Sequence, residues 1–298
     1  MPAPMKPFDH LLAATDLSAP ARRAAERAAL LSRETGAALE LLHVADLAPL
    51  DRLRRLMNAS AADMSQRVLG AAQVRLDALA QALRERYGVD AVRRVVAGSL
   101  ITELSGRASE LASGLLVCGA RGESVLRHHL LGSTASRLLG GTDCPLLVVR
   151  QVAHEPYRRV LVPVDLSAAS PRVIAQALRL APAAEFVLLH VFEVPFEAKL
   201  RYASVDAATL DHYRLVTRDE ALQAMQRLCD EAALPAGRTH QLVVHGDPAA
   251  QVMQIEQEQE CDLIVIGKHG EGALPEFLIG SVTEQVLAES QADVLVCP

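Results

Sequence analysis

The chain has 298 residues, of which half are hydrophobic but only 3% aromatic, and its formal net charge at pH 7 is −6. An acidic balance supplies no basic face for duplex DNA or RNA and argues against nucleic acid as a main partner. No apolar run reaches the roughly 18 residues of a membrane span, and the start has no apolar signal core, so we expect a cytoplasmic protein without membrane contact.

The cysteines and histidines indicate neither a disulfide framework nor a metal site. Five cysteines show no paired spacing, and the ten histidines include no His-x-x-x-His pair. His43 and His190 each end an apolar run, where an imidazole that closes the edge of a sheet is the expected role. We therefore predict no metal ligands among these residues.

Short continuous apolar runs alternate with helical patterns through the first half of the chain. Such runs are typical of strands that are covered on both faces in a parallel sheet. The first of them ends in Asp16-Leu17-Ser18, where Ser18 can cap the helix that follows. The strands predicted for this half are 10–15, 39–44, 92–96, 115–118 and 146–149, and the helices are 21–34, 61–86, 100–112 and one that opens at Gly132.

The second half repeats this order. Asp165-Leu166-Ser167 follows its first run, at an offset of 165 − 16 = 149, and Ser167 is again the expected cap. In the long helix we expect Leu215 to lie on the apolar face together with Leu222 and Met225. The predicted strands are 159–164, 185–191, 241–244, 263–266 and 294–296, and the other helices are 171–180, 249–258 and one that opens at Gly280.

This order predicts an α/β protein of two tandem Rossmann-like domains, residues 1–150 and 156–298. Each domain would be a five-stranded parallel sheet flanked by helices and joined by right-handed crossovers. Parallel sheets of this kind bind ligands at the carboxyl ends of their strands, where the strand order reverses. Asp16 and Asp165 both stand at such strand ends.

A glycine pattern occurs in both halves, each time directly after the fourth apolar run. Gly119-x-x-Gly122 is followed after nine residues by Gly132-Ser133, and Gly267-x-x-Gly270 is followed after nine residues by Gly280-Ser281. The offsets agree, since 267 − 119 = 148 and 280 − 132 = 148. The spacing therefore favours a shared binding role, with the alternative that the glycines only shape turns and pack a helix against the sheet.

The binding role that we expect is anion binding. A strand that runs into glycines, followed by a helix that opens at Gly-Ser, can direct several backbone N–H groups and the positive end of the helix toward one anion. Glycines lack a Cβ atom, so the backbone can turn tightly and approach a ligand closely. The pattern is neither a Walker A loop nor the Gly-x-Gly-x-x-Gly fingerprint of dinucleotide sites. A polyphosphate is the expected occupant.

Gly-x2-Gly-x9-Gly-Ser/Thr after a fourth strand resembles the ATP-binding branch of the universal stress protein (UspA) family, over nearly the whole chain. The resemblance implies the adenine nucleotide alpha hydrolase-like form of the fold, a role in stress response, and ATP, AMP or ADP as ligand, with Mg²⁺ accompanying ATP. It implies that the aspartates approach the nucleoside, that the valines meet adenine through their backbones, and that the glycines and hydroxyls hold phosphates and ribose. The residues so implied are Asp16, Val44, Gly119, Gly122, Gly132, Ser133, Thr134, Pro163, Asp165, Val191, Gly267, Gly270, Gly280, Ser281 and Val282.

The first half departs modestly from the family pattern, because Ala14 stands where the second half has Pro163. If one site is filled, we expect it to be the second. The resemblance also implies that the last strands of the two halves, 146–149 and 294–296, pair as in a dimer made within one chain, and it allows a homodimer of chains with further protein partners.

Other functions stay open from the residues alone. No catalytic group is predicted, but the same sites could support slow ATP hydrolysis. A structural pseudo-dimer with empty pockets that binds other proteins is a further alternative. Likeness to nucleotidyl-transferring synthetases is weaker, since their phosphate loops begin near the first strand, where Asp16-Leu17-Ser18 is not glycine-rich.

Overall fold

The computed structural model of the chain describes residues 8–47, 61–111, 114–120, 133–194, 206–270 and 279–298. The chain divides into two compact units. The described residues up to Pro156, together with Asp293–Val296 and Pro298, belong to the first unit, and Tyr157–Ala292 with Cys297 form the second. Gly122 and Gly132, two of the residues expected to bind phosphate, lie outside the described residues.

The first unit alternates strands and helices as the apolar runs predict. Its strands are β1 (His10–Ala14), β2 (Ala38–Ala45), β3 (Ala91–Ala97), β4 (Gly114–Gly119) and β5 (Leu146–Val149), together with most of β10 (Asp293–Cys297). Its helices are α1 (Ala19–Thr35), α2 (Ala61–Tyr87), α3 (Leu100–Glu110) and α4 (Ser133–Gly141).

The second unit repeats the alternation. Its strands are β6 (Arg159–Pro163), β7 (Glu185–Phe192), β8 (Thr239–His245) and β9 (Leu263–Gly267). Its helices are α5 (Ser170–Leu180), α6 (Ala207–Glu231), α7 (Pro248–Glu258) and α8 (Ser281–Glu289), with a short 3₁₀ turn at Ala236–Arg238.

In the first unit the strand order is β3-β2-β1-β4-β5-β10. The strands from β3 to β5 run parallel, and β10 pairs with β5 in the antiparallel direction. Val294 lies opposite Val148, and Val296 lies opposite Leu146. The expected pairing of these last strands is confirmed, and it covers an apolar edge that would otherwise promote aggregation.

In the second unit the order is β9-β6-β7-β8, and all three pairings are parallel. The chain proceeds from β6 outward through β7 to β8 and then returns to the other side of β6 to form β9. The strand order therefore reverses between β6 and β9, and a crevice opens at their carboxyl ends. The fold class expected from the sequence, an α/β protein with a mostly parallel sheet, is confirmed.

The core is aliphatic because the sequence offers few aromatic side chains. Leu, Val, Ile and Ala fill the strands, and β5 and β9 are buried almost throughout. Cys118 and Cys297 are buried small side chains of β4 and β10, as expected. Within the described part of the chain, no helix combines the length and apolar character needed to cross a bilayer.

The structure contradicts the cap expected for the helix after β6. Ser18 caps α1 and accepts from the N–H of Ala21, but the cap position of α5 is Ala169 and not Ser167, because that helix begins at Ser170, directly before Pro171. Proline lacks an N–H and suits the first helical turn, and in both α1 and α5 it is the second helical residue. Ser167 instead accepts from the N–H of Ala169 in a tight turn before the helix.

Leu215 is 57% exposed, against the expectation that it lies on the apolar face of α6. The buried face of this helix includes Leu210, Ala221, Met225 and Leu228. Five residues after Leu210 correspond to about 500° of helical rotation, which carries Leu215 off that face.

Candidate functional site

A cavity of about 620 Å³ opens in the second unit at the crevice between β6 and β9. This size falls within the range of roughly 300–1,000 Å³ that is usual for small-molecule sites. Every residue that sequence reasoning assigned to the second half lines it: Pro163, Asp165, Val191, Gly267, Gly270, Gly280, Ser281 and Val282. The fold thus brings together groups from four separate chain segments.

Much of the cavity wall is apolar. Three apolar residues come from the sheet: Val164 directly after β6, Leu189 of β7 and Ile266 of β9. Two more come from the flanking helices, Val173 of α5 and Val252 of α7. None of these five positions was assigned to the site from the sequence. Val164, Leu189 and Ile266 lie within two residues of predicted ligand positions on the strand ends, and this signal could have found them. Val173 and Val252 lie on helices, where no such signal points to them.

Asp165 lies just after β6, at the first position of a turn, and hydrogen bonds from later residues of that turn fix its side chain. Its Oδ1 accepts from the backbone N–H of Ser167 at 3.0 Å and from the hydroxyl of Ser170 at 2.9 Å. Leu166 between them has φ 61°, a left-handed conformation that is uncommon for leucine. The turn therefore places a carboxylate in a fixed orientation at the cavity wall.

The glycine segment after β9 and the start of α8 lie against each other. The N–H of Gly280 donates to the carbonyl of Lys268 at 2.9 Å, and a Cβ added to Gly280 would lie 3.6 Å from the nitrogen of Gly270. Both segments line the same cavity. The convergence expected from the nine-residue spacing is therefore present in the second unit.

The glycines do not act through a special backbone conformation. Gly267, Gly270 and Gly280 are not among the residues with positive φ, and Gly280 has φ −69° and ψ 148°. At Gly267 the absence of a Cβ matters for a steric reason, since a Cβ there would lie 3.2 Å from the carbonyl oxygen of His269, which is a tight contact. The missing side chain therefore lets the backbone bend closely after β9.

Helix α8 points the start of its backbone into the cavity. Gly280 is its cap residue and provides no side-chain cap hydrogen bond, and the first intrahelical bond runs from the N–H of Glu284 to Gly280. The N–H groups of Ser281, Val282 and Thr283 precede that bond, so the helix does not satisfy them internally. They form the positive end of the helix dipole.

Thr283 is a cavity residue that sequence reasoning missed. Its hydroxyl donates to the carbonyl of Gly267 at 2.7 Å, and the residue is 3% exposed. Ser170 was missed as well. A comparison of the two halves could have found both residues. Thr283 aligns with Ala135, and Ser170 aligns with Ala21, so each hydroxyl is present in the second half and absent from the first.

The predicted residues of the first half lie at the corresponding places of the first unit. Asp16 follows β1 and accepts from the N–H of Ser18 at 2.9 Å, and Leu17 has φ 64°. Val44 lies in β2, Gly119 ends β4, and Ser133 and Thr134 begin α4. Gly122 and Gly132 lie outside the described residues, so the full pattern is described only in the second unit.

The histidines at the strand ends have structural partners. The Nδ1 atom of His43 is 2.8 Å from the carbonyl of Thr15, and the Nδ1 atom of His190 is 2.9 Å from the carbonyl of Val164. These contacts tie β2 to β1 and β7 to β6. Among the residues that the structure describes, no group of three or more His, Cys, Asp or Glu side chains could hold a metal ion.

Comparison with known proteins agrees with this arrangement. The model of the universal stress protein family matches the chain twice, at residues 7–150 and 156–298. A universal stress protein of Mycobacterium tuberculosis, Rv1996, is 27% identical over 207 residues, which are 68% of this chain and 63% of that protein. The chain thus matches somewhat less than two thirds of the length of this relative.

A solved structure shares the fold. The crystal structure of a universal stress protein from Archaeoglobus fulgidus is 19% identical, covers 97% of this chain and 98% of its own, and superposes with a TM-score of 0.67. A universal stress protein solved in complex with cAMP is 22% identical and covers 48% of this chain and 98% of its own, with a TM-score of 0.33. With both halves matched by the family model, this chain belongs to the universal stress protein family.

Proposed function

We propose that the second repeat binds an adenine nucleotide, ATP or AMP, and that this cytoplasmic protein acts in stress response as a nucleotide-dependent regulator of its protein partners. One observation carries the proposal. The end of β6, the glycine segment after β9 and the start of α8 line a single cavity of about 620 Å³.

The cavity has the two kinds of wall that a nucleotide requires. Its apolar side, with Val173, Leu189 and Val252, suits the faces of an adenine ring, which gains from burial. Val191 would meet the ring through its backbone. Asp165, fixed by Ser167 and Ser170, would accept from hydroxyl or amino groups of the nucleoside.

The phosphates would lie at the glycine segment and the start of α8. Backbone N–H groups at Gly270 and at the start of α8 would donate to phosphate oxygens, with the hydroxyl of Ser281 beside them. Hydrogen bonds to charged groups contribute roughly 1.5–3 kcal/mol each. Several of them, with a buried ring, offset an association cost of about 4–15 kcal/mol and give a dissociation constant in the micromolar range.

The nucleotide would act as an effector and not as a substrate. Asp165 is the one carboxylate that the sequence assigns to this site, and the described residues provide no cluster that holds a metal ion. Mg²⁺ would therefore arrive with ATP, bound to its phosphates. Asp165 and Glu284 are carboxylates that line the cavity, and without a metal ion held by the protein they give little means of activating water.

The first repeat is a weaker candidate for the site. It retains Asp16, Val44 and Gly119, but it has Ala14 in place of Pro163. We therefore assign the nucleotide to the second repeat and expect about one per chain.

The experiment is to denature the purified protein, remove the precipitate and identify adenine nucleotides in the supernatant by chromatography, before and after saturation with ATP. ATP or AMP at about one per chain supports the proposal. ADP that accumulates with time after ATP is added would favour slow hydrolysis. Absence of nucleotide after saturation would favour a structural protein whose surface binds partners, and would overturn the proposal.

A further inference from the structure

We propose that Thr283 is a positioning residue, which fixes the start of α8 against the end of β9 and so sets the phosphate subsite of the second repeat. This inference rests on the proposed function, because it assigns a role within the same cavity. Thr283 was not among the residues that the sequence or the family resemblance assigned to the site.

The geometry is a double attachment of the start of the helix to two consecutive carbonyl groups. The hydroxyl of Thr283 donates to the carbonyl of Gly267 at 2.7 Å, and the N–H of Gly280 donates to the carbonyl of Lys268 at 2.9 Å. Gly267 is the last residue of β9, a strand buried along most of its length. The first turn of α8 is therefore held in register with the rigid sheet.

The hydroxyl of Thr283 acts through the helix and not by donating to the ligand. A threonine hydroxyl has one hydrogen to donate, and in this structure that hydrogen is directed to Gly267. Ionised phosphate oxygens are hydrogen-bond acceptors, so they need donors that are still available. The backbone N–H groups of the first turn of α8 are such donors, and Thr283 determines where they point.

The first repeat provides a natural comparison. Since 283 − 148 = 135, Ala135 takes the place of Thr283, and it is 0% exposed at the start of α4. The carbonyl that corresponds to Gly267 belongs to Gly119, because 267 − 148 = 119. An alanine has no hydroxyl with which to reach it. The start of α4 is therefore built without this attachment, which distinguishes the two repeats.

Loss of the attachment should weaken phosphate binding selectively. Hydrogen bonds weaken steeply as the angle and distance depart from their optimum, and the influence of the helix dipole falls off within the first turn. A small displacement of α8 would therefore affect several phosphate contacts together. Val173 and Leu189 of the apolar wall belong to α5 and β7 and not to α8, so a displacement of α8 leaves these two residues in place.

The test is isothermal titration of the full chain with ATP and, separately, with adenosine. Thr283→Val keeps the shape of the side chain and removes the hydroxyl, and Thr283→Ser retains the hydroxyl. We expect Thr283→Val to bind ATP about tenfold more weakly, with adenosine affinity changed less than about twofold, and Thr283→Ser to restore ATP binding. Ala135→Thr, the reverse change in the first repeat, serves as the matched control and should leave ATP binding to the second repeat unchanged.

The outcomes separate the two proposals. If the wild type binds neither ligand, the proposed function fails and this inference fails with it. If the wild type binds ATP and Thr283→Val binds it equally well, this inference alone is overturned. Equal losses for ATP and adenosine would indicate a general structural role and would also overturn it. Should Thr283→Val not fold, Thr283→Ala carries the test, because the first repeat already accommodates alanine at this place.

Discussion

The hydroxyl of Ser170 donates a 2.9 Å hydrogen bond to Oδ1 of Asp165. The same oxygen accepts from the backbone of Ser167, so two bonds fix the rotation of the carboxyl group. The other oxygen, Oδ2, lies 3.7 Å from the position that a Cβ on Gly270 would occupy. The carboxylate is thus held next to the glycine segment, and it connects the nucleoside side of the proposed site to the phosphate side.

Ser170→Ala should weaken the binding of adenosine and of ATP to a similar extent, by about fivefold. The reason is that, in the proposed site, the carboxylate of Asp165 would face the nucleoside, which both ligands contain. Titration calorimetry with the two ligands measures the effect. Ser167→Ala is the matched control, because it preserves the backbone N–H that Asp165 accepts from and should change affinity less than about twofold. Wild-type affinity for both ligands in Ser170→Ala would contradict this role.

Gly280→Asp should abolish ATP binding by the second repeat, with a loss of at least about 100-fold, because it places a like charge beside the phosphates. The backbone of Gly280 accepts any residue, and a Cβ there would lie at an ordinary 3.5 Å from the carbonyl of Lys268. The fold should therefore tolerate the change.

Gly280→Asn separates charge from size in the same titration. Asparagine has nearly the shape of aspartate without its charge, so we expect it to bind ATP more tightly than Gly280→Asp does. If the two variants bind ATP equally weakly, crowding and not electrostatic repulsion is responsible, and a phosphate at the start of α8 is not supported.

Asp293→Ala should destabilise the first unit by about 3 kcal/mol. Asp293 is 0% exposed, its Oδ2 lies 3.2 Å from Nε of Arg27, and its Oδ1 accepts from the N–H groups of Arg150 and Gln151. Removal of the carboxylate leaves a buried guanidinium without its counter-charge. Urea unfolding followed by circular dichroism measures the change.

Asp211→Ala is the control for this prediction. Asp211 pairs with Arg214 on the surface of α6 and is 65% exposed, and exposed pairs contribute roughly 0–1 kcal/mol. If both variants lower the free energy of unfolding by a similar amount, burial does not make the Asp293–Arg27 pair more stabilising than an exposed pair.

The cysteines should be unreactive in the folded protein at pH 8. Burial raises the pKa of Cys118, of Cys261 and of Cys297 to about 12, and it raises the pKa of Cys144 to about 11. Thiolate is the reactive form, so reaction with a chromogenic disulfide reagent should be slow before unfolding and should release five thiols after it. Rapid labelling of the native protein would contradict this burial.

The same pKa shifts predict a loss of stability in alkali. A thiol whose pKa is raised by folding holds its proton more tightly in the folded state. Its contribution to stability is complete below pH 9, the ordinary value, and is lost as the pH rises toward 12. Urea midpoints should therefore fall from pH 9 upward, and the fall should be smaller in Cys118→Ala. An equal fall in that variant would exclude Cys118 as a contributor.

The sequence predicted the fold well because its signals are local. Continuous apolar runs such as Leu263-Ile-Val-Ile266 are too short for helices and lie between glycines and caps, so they identify buried strands. The carboxyl ends of those strands then specify the edge of the sheet where a ligand binds. This is why Asp165, Val191 and Gly267 line one cavity, together with the residues at the start of α8 that the glycine pattern and the family resemblance added.

Other features depend on three-dimensional contacts that no local pattern encodes. The start of α5 is set by Pro171 rather than by Ser167, and its displacement places Ser170 beside Asp165. The hydroxyl of Thr283 reaches a carbonyl 16 positions earlier in the chain. Only the comparison of the two repeats, with alanine at the equivalent places, could have drawn attention to these side chains.

The most direct measurement is a crystal structure of the full chain grown with saturating ATP. We expect nucleotide density in the cavity of the second repeat, with adenine against Val191, and with phosphate oxygens about 3 Å from the backbone nitrogens at the start of α8. Density for the nucleotide elsewhere on the chain, or a cavity that stays empty at saturating ATP, would contradict it.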